Sequence, residues 1–489
     1  MKLPCYALFF SLAAAALVPA QSVPAPGTPI VPFKHVVVIF QENRTPDNLF
    51  QGLCAPPYGT AEACSTASFA GKYDIQTSNW ADKTAPGGVI QPGTVFLANR
   101  YDLSHAHSAF TAQCDADPST GVCKMDGASG VRCSGTCPAN PQFRYVNNSN
   151  GVLNPYLALA TQYGWANFMF QTNQGPSFPA HQFIFGGTSA ASANDDAAGI
   201  FAAENMSNTG IGGTSAIAGC IADSTTAVQL VGPDGVEHPN DKIYPCFEHR
   251  TLADVLPASV TWRYYAPSAG SIWTAPNAIQ HICQSSGPGG VCQGQDWTAN
   301  VDLKPADVLA DIANCNLRSV SWVIPTGANS DHANGNDGGG PSWVASIVNA
   351  IGNSSTCDNG AGYWKDTAIL ITWDDWGGWY DHEPPTILSY PQGGYQYGFR
   401  VPLIVVSAYT PQHLINNARH DFGSILRFIE ADFHVKQGIL NFADARADND
   451  LFGFFDFSLP PRAYQTIAAP LSAAFFLNDR RPPTDPDDQ

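Results

Sequence analysis

Largely apolar runs punctuate this chain of 489 residues. They occupy residues 36–40, 167–170, 260–265, 319–324, 368–373 and 403–407. A strand that meets water on one face alternates apolar with polar residues, whereas a strand covered on both faces does not. These runs therefore predict strands of a largely parallel sheet buried on both sides. Between several of them, apolar residues recur every three or four positions, at 155–163, 305–313, 342–351 and 422–433, which predicts helices. Strand and helix in alternation predict an α/β fold, a mostly parallel central sheet with helices on both faces. No internal repeat and no long linker interrupts 30–475, so that span is expected to form one domain. Within it, about 52–150 is rich in Gly, Pro, Ser and Cys and poor in periodicity, and reads as a loop-rich insertion pinned by disulfides. Residues 480–489 form a Pro/Asp tail, expected to be disordered.

Composition narrows the classes. Apolar residues make up 44% of the chain and aromatics 11%, with only 13% charged, which suits a sizeable core and not a disordered chain. The formal net charge is −18 and no cluster of five Lys/Arg occurs. Nucleic acid is therefore not an expected partner, because phosphate contacts need cations. Residues 1–20 combine Lys2, an apolar stretch and small residues before a cleavage point, and read as a signal peptide; no further stretch is long and apolar enough to span a membrane. A secreted or periplasmic location follows, with at most transient membrane-surface contact. Removing the signal takes Cys5 with it and leaves 12 of the 13 cysteines. An even number in an oxidising compartment predicts disulfides, most simply Cys54 with Cys64, Cys114 with Cys123 and Cys283 with Cys292.

The candidate chemistry lies at the ends of two apolar runs more than three hundred residues apart. One leads into Gln41-Glu42-Asn43, the other into Trp373-Asp374-Asp375. Ligands of open α/β sheets sit beyond the carboxyl ends of the strands. If the two strands are neighbours, three carboxylates and an amide converge there, and such crowding calls for a divalent cation. Asn43-Arg-Thr45 also matches a glycan acceptor pattern, but its place directly after a buried strand predicts a ligand. Ser177 opens a predicted helix after the Gly175-Pro176 turn. It suits either a plain N-cap or a nucleophile favoured by the helix N-terminus. His105, His107, His332 and His382 are candidates for protonating a leaving oxygen or for stabilising charge.

Five blocks in order, Gln41-Glu-Asn-Arg-Thr-Pro-Asp-Asn-Leu-Phe50, Lys124-Met-Asp-Gly127, Gly175-Pro-Ser-Phe-Pro179, Asp374-Asp-Trp-Gly-Gly-Trp-Tyr-Asp-His382 and Phe399-Arg-Val-Pro-Leu403, resemble the signature of the phosphoesterase family, which holds bacterial phospholipases C and secreted acid phosphatases. The resemblance spans about residues 35–435. It implies an alkaline-phosphatase-like sandwich, one divalent metal ion held by Glu42, Asn43, Asp374, Asp375 and Ser177, and a phosphoserine intermediate on Ser177. Its pocket histidines match His105 and His332, with Asp331 beside the latter. Oxygen ligands favour Ca²⁺ or Mg²⁺, while Mn²⁺ and Zn²⁺ also accept such sites. One departure stands out: Ala180-His181 replaces the Asn-Arg of many phospholipases. The expected function is a secreted, metal-dependent phosphoric ester hydrolase, of phospholipase C or acid phosphatase type, acting on a phosphate ester or phospholipid. Two alternatives are a sulfatase, from the Ser177-Phe-Pro-Ala-His181 spacing with His181 where arginine is expected, and an inactive secreted binding protein.

Overall fold

The computed structural model describes residues 33–67, 71–208, 217–390 and 393–483, so the signal-peptide segment 1–20 lies outside the described residues. A sheet of eight strands runs through the centre. In chain order these are β1 (His35–Gln41), β2 (Gly164–Met169), β3 (Trp262–Tyr265), β4 (Val301–Asp302), β5 (Val320–Val323), β6 (Thr367–Trp373), β7 (Leu403–Val406) and β8 (Leu414–His420). Across the sheet they lie in the order β4-β3-β5-β1-β6-β7-β2-β8. Only β7 among these runs antiparallel to its neighbours; the other pairings are parallel. Val36 faces Val320 on one side and Ala368 on the other. All of Thr367–Trp373 is buried, as expected of a run without polar alternation.

Side-chain alternation divides the helices between two faces. Phe40 and Thr372 are register partners, as are the next residues, Gln41 and Trp373, and successive residues of a strand point to opposite sides. Phe40 meets Phe422 and His181, so helices α2 (Ser177–Gly186) and α5 (Phe422–Asp432) cover that face. Trp373 meets Tyr156 on the other face. There α1 (Asn154–Gln162) packs on α4 (Gly340–Gly352), which packs on α3 (Asp307–Ala313). The expected α/β layering with helices on both faces is thus observed. One continuous hydrophobic core reaches from Phe33 to Phe476.

The segment 52–150 is more ordered than its composition suggests. Its backbone forms three short ladders with partners inside the segment, and His107–Cys114 is a helix. Buried aromatics explain the order: Trp80 stacks on Tyr380, and Tyr101 packs against Trp379. The three expected local disulfides form, joined by Cys133–Cys137, Cys220–Cys246 and Cys315–Cys357. A hairpin of Thr226–Val231 and Glu237–Ile243 projects as a partly exposed flap. Of the tail 480–489, residues 480–483 are described, and Arg481 ion-pairs with Asp337 and Asp479. Among the described residues no helix is long and apolar enough to cross a membrane.

Candidate metal centre

β1 and β6 are parallel neighbours in register, with Gln41 opposite Trp373, so Glu42-Asn43 and Asp374-Asp375 leave the sheet side by side. The Asp374 amide donates to the Gln41 carbonyl at 3.0 Å, and the Asn43 amide donates to Asp374 Oδ1 at 3.0 Å. Asn43 takes a left-handed φ of 62° to make that turn, a conformation asparagine tolerates better than most residues. Gly377 (φ 63°) passes so close that a Cβ there would lie 2.4 Å from the Asn43 carbonyl oxygen. Its amide donates to Asp375 Oδ1 at 2.6 Å, leaving Oδ2 to face inward.

Ser177 comes from the opposite side. The helix cap is Pro176, which offers no side-chain hydrogen bond, so Ser177 is the first helical residue and not the N-cap. Its hydroxyl faces Glu42 Oε2 and Asp375 Oδ2, each at 3.4 Å. The turn before it needs glycine, since a Cβ on Gly175 would fall 2.1 Å from the Ala203 carbonyl oxygen. Gln171, which the sequence did not single out, fastens the two halves of the site. Its Oε1 accepts the Trp376 amide at 3.2 Å and its Nε2 donates to the Gly175 carbonyl at 3.1 Å.

His181 lies one helical turn beyond Ser177. Its Nε2 is 3.4 Å from Glu42 Oε1 and 3.9 Å from Asp374 Oδ2. Glu42, Asn43, Ser177, His181, Asp374 and Asp375 are all wholly buried. Buried polar atoms are costly without partners, yet Asn43 Oδ1 and Asp374 Oδ2 accept no hydrogen bond. Three buried carboxylates with inward-facing oxygens and an unsatisfied amide oxygen fit a divalent cation.

The histidines separate by role. His105 Nδ1 donates to the Leu103 carbonyl at 2.9 Å, so Nε2 is left to accept the Asn43 Nδ2 amide at 3.3 Å, and that contact turns the Asn43 oxygen the other way. His332 stands edge-on to His105 with ring centroids 5.7 Å apart, its Nδ1 2.6 Å from the Ala333 carbonyl. Asp331 does not join them. Its carboxylate accepts from the Tyr156 hydroxyl at 2.9 Å and the Trp373 indole at 3.0 Å, and burial pushes its pKa up to about 6. His107 spans the Gln174 and Gly235 carbonyls at 3.0 and 3.2 Å, tying the turn before Ser177 to the flap. His382 sits 2.7 Å from Asp47 and 3.3 Å from Asp74. Burial works against its charge, but Asp47 and Asp74 outweigh it and hold the pKa near 10. Arg400 completes that network with contacts to Asp381 at 3.0 Å and Asp74 at 2.9 Å. With His382 and Arg400 set among Asp47, Asp74, Asp381 and Glu383, the cluster ties the chain after Asn43 to the chain after Asp375.

The Phosphoesterase family model matches residues 33–436, which takes in every residue of the site. The chain belongs to the phosphoesterase family. Within it, the chain is similar to phospholipase C B of Mycobacterium tuberculosis, with 29% identity over 179 residues, covering 32% of this chain and 33% of the relative. It is also similar to the non-hemolytic phospholipase C of Burkholderia pseudomallei, with 28% identity over 194 residues, 33% of this chain and 26% of that one. These matches thus span about a third or less of the relatives' length. Among solved structures, a protein in the alkaline phosphatase superfamily from Vibrio parahaemolyticus aligns with TM-score 0.31 and 11% identity, covering 58% of this chain and 61% of that one. A likeness at that score supports no conclusion.

Proposed function

We propose that this phosphoesterase is a metal-dependent phosphoric ester hydrolase that works through a phosphoserine at Ser177. The observation that carries the reading is the placement of the Ser177 hydroxyl, 3.4 Å from both Glu42 and Asp375, at the first position of a helix and in a buried site where Asn43 Oδ1 and Asp374 Oδ2 accept no hydrogen bond. Glu42, Asn43, Asp374, Asp375 and the Ser177 oxygen would hold one divalent ion. When bound, the ion supplies a Lewis acid that lowers the serine pKa and offsets charge on the phosphoryl oxygens.

The Ser177 hydroxyl releases its proton to water, and its oxygen bonds to phosphorus as the bond from phosphorus to the leaving alcohol breaks. The positive end of the α2 dipole favours the negative oxygens. Because His105 Nε2 is engaged with Asn43, His332 is assigned the delivery of a proton to the leaving oxygen, with His105 fixing Asn43. Water then attacks the phosphoserine, Ser177 recovers its proton, and phosphate or a phosphomonoester departs. Asp331, turned to Tyr156 and Trp373, is assigned a positioning role for the loop that carries His332.

The names of the relatives support a phospholipase C-like substrate, a phosphodiester or phospholipid, with acid phosphatase activity as the other member of this class. They give no support to the sulfatase alternative. Six disulfides support a secreted or periplasmic site of action, and the net charge of −18 supports no role for nucleic acid. The test is hydrolysis of phosphatidylcholine, p-nitrophenyl phosphate and bis-p-nitrophenyl phosphate after chelation and after re-addition of Ca²⁺, Mg²⁺, Mn²⁺ or Zn²⁺. Loss on chelation and recovery with an ion are expected on at least one ester. Undiminished turnover in chelator would overturn the metal requirement, and no turnover on any of the three would overturn the proposed activity.

A further inference from the structure

We propose that His181 is a nitrogen ligand of the metal ion, held for that role by Tyr264, and that the site therefore prefers an ion that accepts nitrogen, Zn²⁺ first and Mn²⁺ after it, over Ca²⁺ or Mg²⁺. This rests on the metal-site reading above and deepens it. Spacing comes first: positions four apart lie on one face of a helix, so the turn that aims Ser177 inward aims His181 inward as well. The imidazole is wholly buried, with Phe40 edge-on against it at 6.1 Å.

The tautomer follows from Tyr264. Its hydroxyl donates to the Trp273 carbonyl at 2.7 Å, so toward His181 Nδ1, 3.4 Å away, its oxygen is an acceptor. His181 Nδ1 therefore carries the hydrogen, and in the neutral ring the lone pair sits on Nε2. That lone pair faces Glu42 Oε1 and Asp374 Oδ2, and the three atoms lie within 4.8 Å of one another. Adjacent donors about 2.2 Å from one six-coordinate ion are about 3.1 Å apart, which the separations of 3.4 and 3.9 Å seen here approach. A hydrogen bond to the far nitrogen is the usual way a protein fixes a ligating histidine. Imidazole nitrogen suits Zn²⁺, and Mn²⁺ binds more tightly than Ca²⁺ or Mg²⁺ where one nitrogen joins oxygen donors, whereas Ca²⁺ and Mg²⁺ take oxygen.

The experiment is pulsed electron paramagnetic resonance on the full chain, stripped of metal and loaded with Mn²⁺, beside a titration of Mn²⁺ affinity. Wild type should show the hyperfine coupling of a directly bound imidazole nitrogen, and Ca²⁺ should displace Mn²⁺ poorly. His181→Gln should lose the coupling and about 10- to 100-fold in affinity, and Tyr264→Phe should weaken binding while keeping the coupling. Tight Mn²⁺ binding with no nitrogen coupling, or with unchanged affinity in His181→Gln, overturns the inference and leaves the metal site standing. Wild type that binds no divalent ion overturns the metal-site reading itself. If His181→Gln fails to fold, the wild-type spectrum decides alone.

Discussion

Asp374→Asn should change the sign of its effect on stability according to whether the ion is present. Oxygens of Asp374 and Glu42 lie within 4.8 Å of each other. At that distance, with an effective dielectric constant of about 20, two carboxylates repel by roughly 3 kcal/mol. Asparagine removes this repulsion and keeps an Oδ1 able to accept the Asn43 amide, so the hydrogen bond at 3.0 Å and the turn it holds survive. In chelator the variant should therefore unfold at a higher temperature than wild type, by about 3 °C if 1 kcal/mol moves the midpoint of a chain this long by roughly 1 °C. With ion added the order should narrow or reverse, because loss of a charged ligand weakens binding about 10- to 100-fold. Calorimetry of both proteins near neutral pH, in chelator and in excess Mn²⁺, measures the two differences. A variant destabilised equally in both conditions would refute the reasoning, because the carboxylate would then be acting through structure and not through its charge.

Gly377→Ala should lower both stability and ion affinity. The left-handed backbone costs a β-carbon about 1 to 2 kcal/mol, and a Cβ 2.4 Å from the Asn43 carbonyl pushes that ligand loop away; equal ion affinity in a titration would contradict this. His332→Ala should slow hydrolysis of an alkyl ester by about 10²- to 10⁴-fold and hydrolysis of a p-nitrophenyl ester far less, since p-nitrophenolate leaves without a proton. Equal losses on the two would remove His332 from the general-acid role. His382, whose pKa rises from 6.5 to about 10 in the fold, stabilises the protonated protein. Its contribution is complete below about pH 6.5 and is lost as pH climbs through about 10. The gap in unfolding midpoint between wild type and His382→Gln should shrink across that window, and a gap independent of pH would refute the assignment.

Six of the eight sheet strands were legible because burial on both faces keeps polar residues few in each run. The two that were not have physical reasons. Leu414–His420 is an edge strand carrying Asn416, Asn417 and Arg419, and Val301–Asp302 is only two residues long. The reversed direction of Leu403–Val406 was also illegible, since a strand buried on both faces has the same composition either way. In the site, Glu42, Asn43, Asp374 and Asp375 were readable because they end adjacent strands. His181 was noticed only as a departure from a family pattern; the signal that places it beside Ser177 is the four-residue spacing on one helix. Asp331 was grouped with His332 by adjacency in sequence, but the chain turns between them and sends the carboxylate to Tyr156 and Trp373. Gln171 carried no signal at all, because its bonds run to backbone groups that only the folded chain brings near.

The central claim is that the Ser177 oxygen becomes bonded to phosphorus. Rapid acid quenching of the metal-loaded protein during turnover, followed by peptide mass spectrometry, tests it directly. The account predicts phosphate on the peptide that holds Ser177, absent from Ser177→Ala, with turnover lost in that variant while its ion remains bound. A Ser177→Ala protein that keeps more than a small fraction of the wild-type rate, with no phosphopeptide in the wild type, would contradict the account and leave a water molecule as the nucleophile.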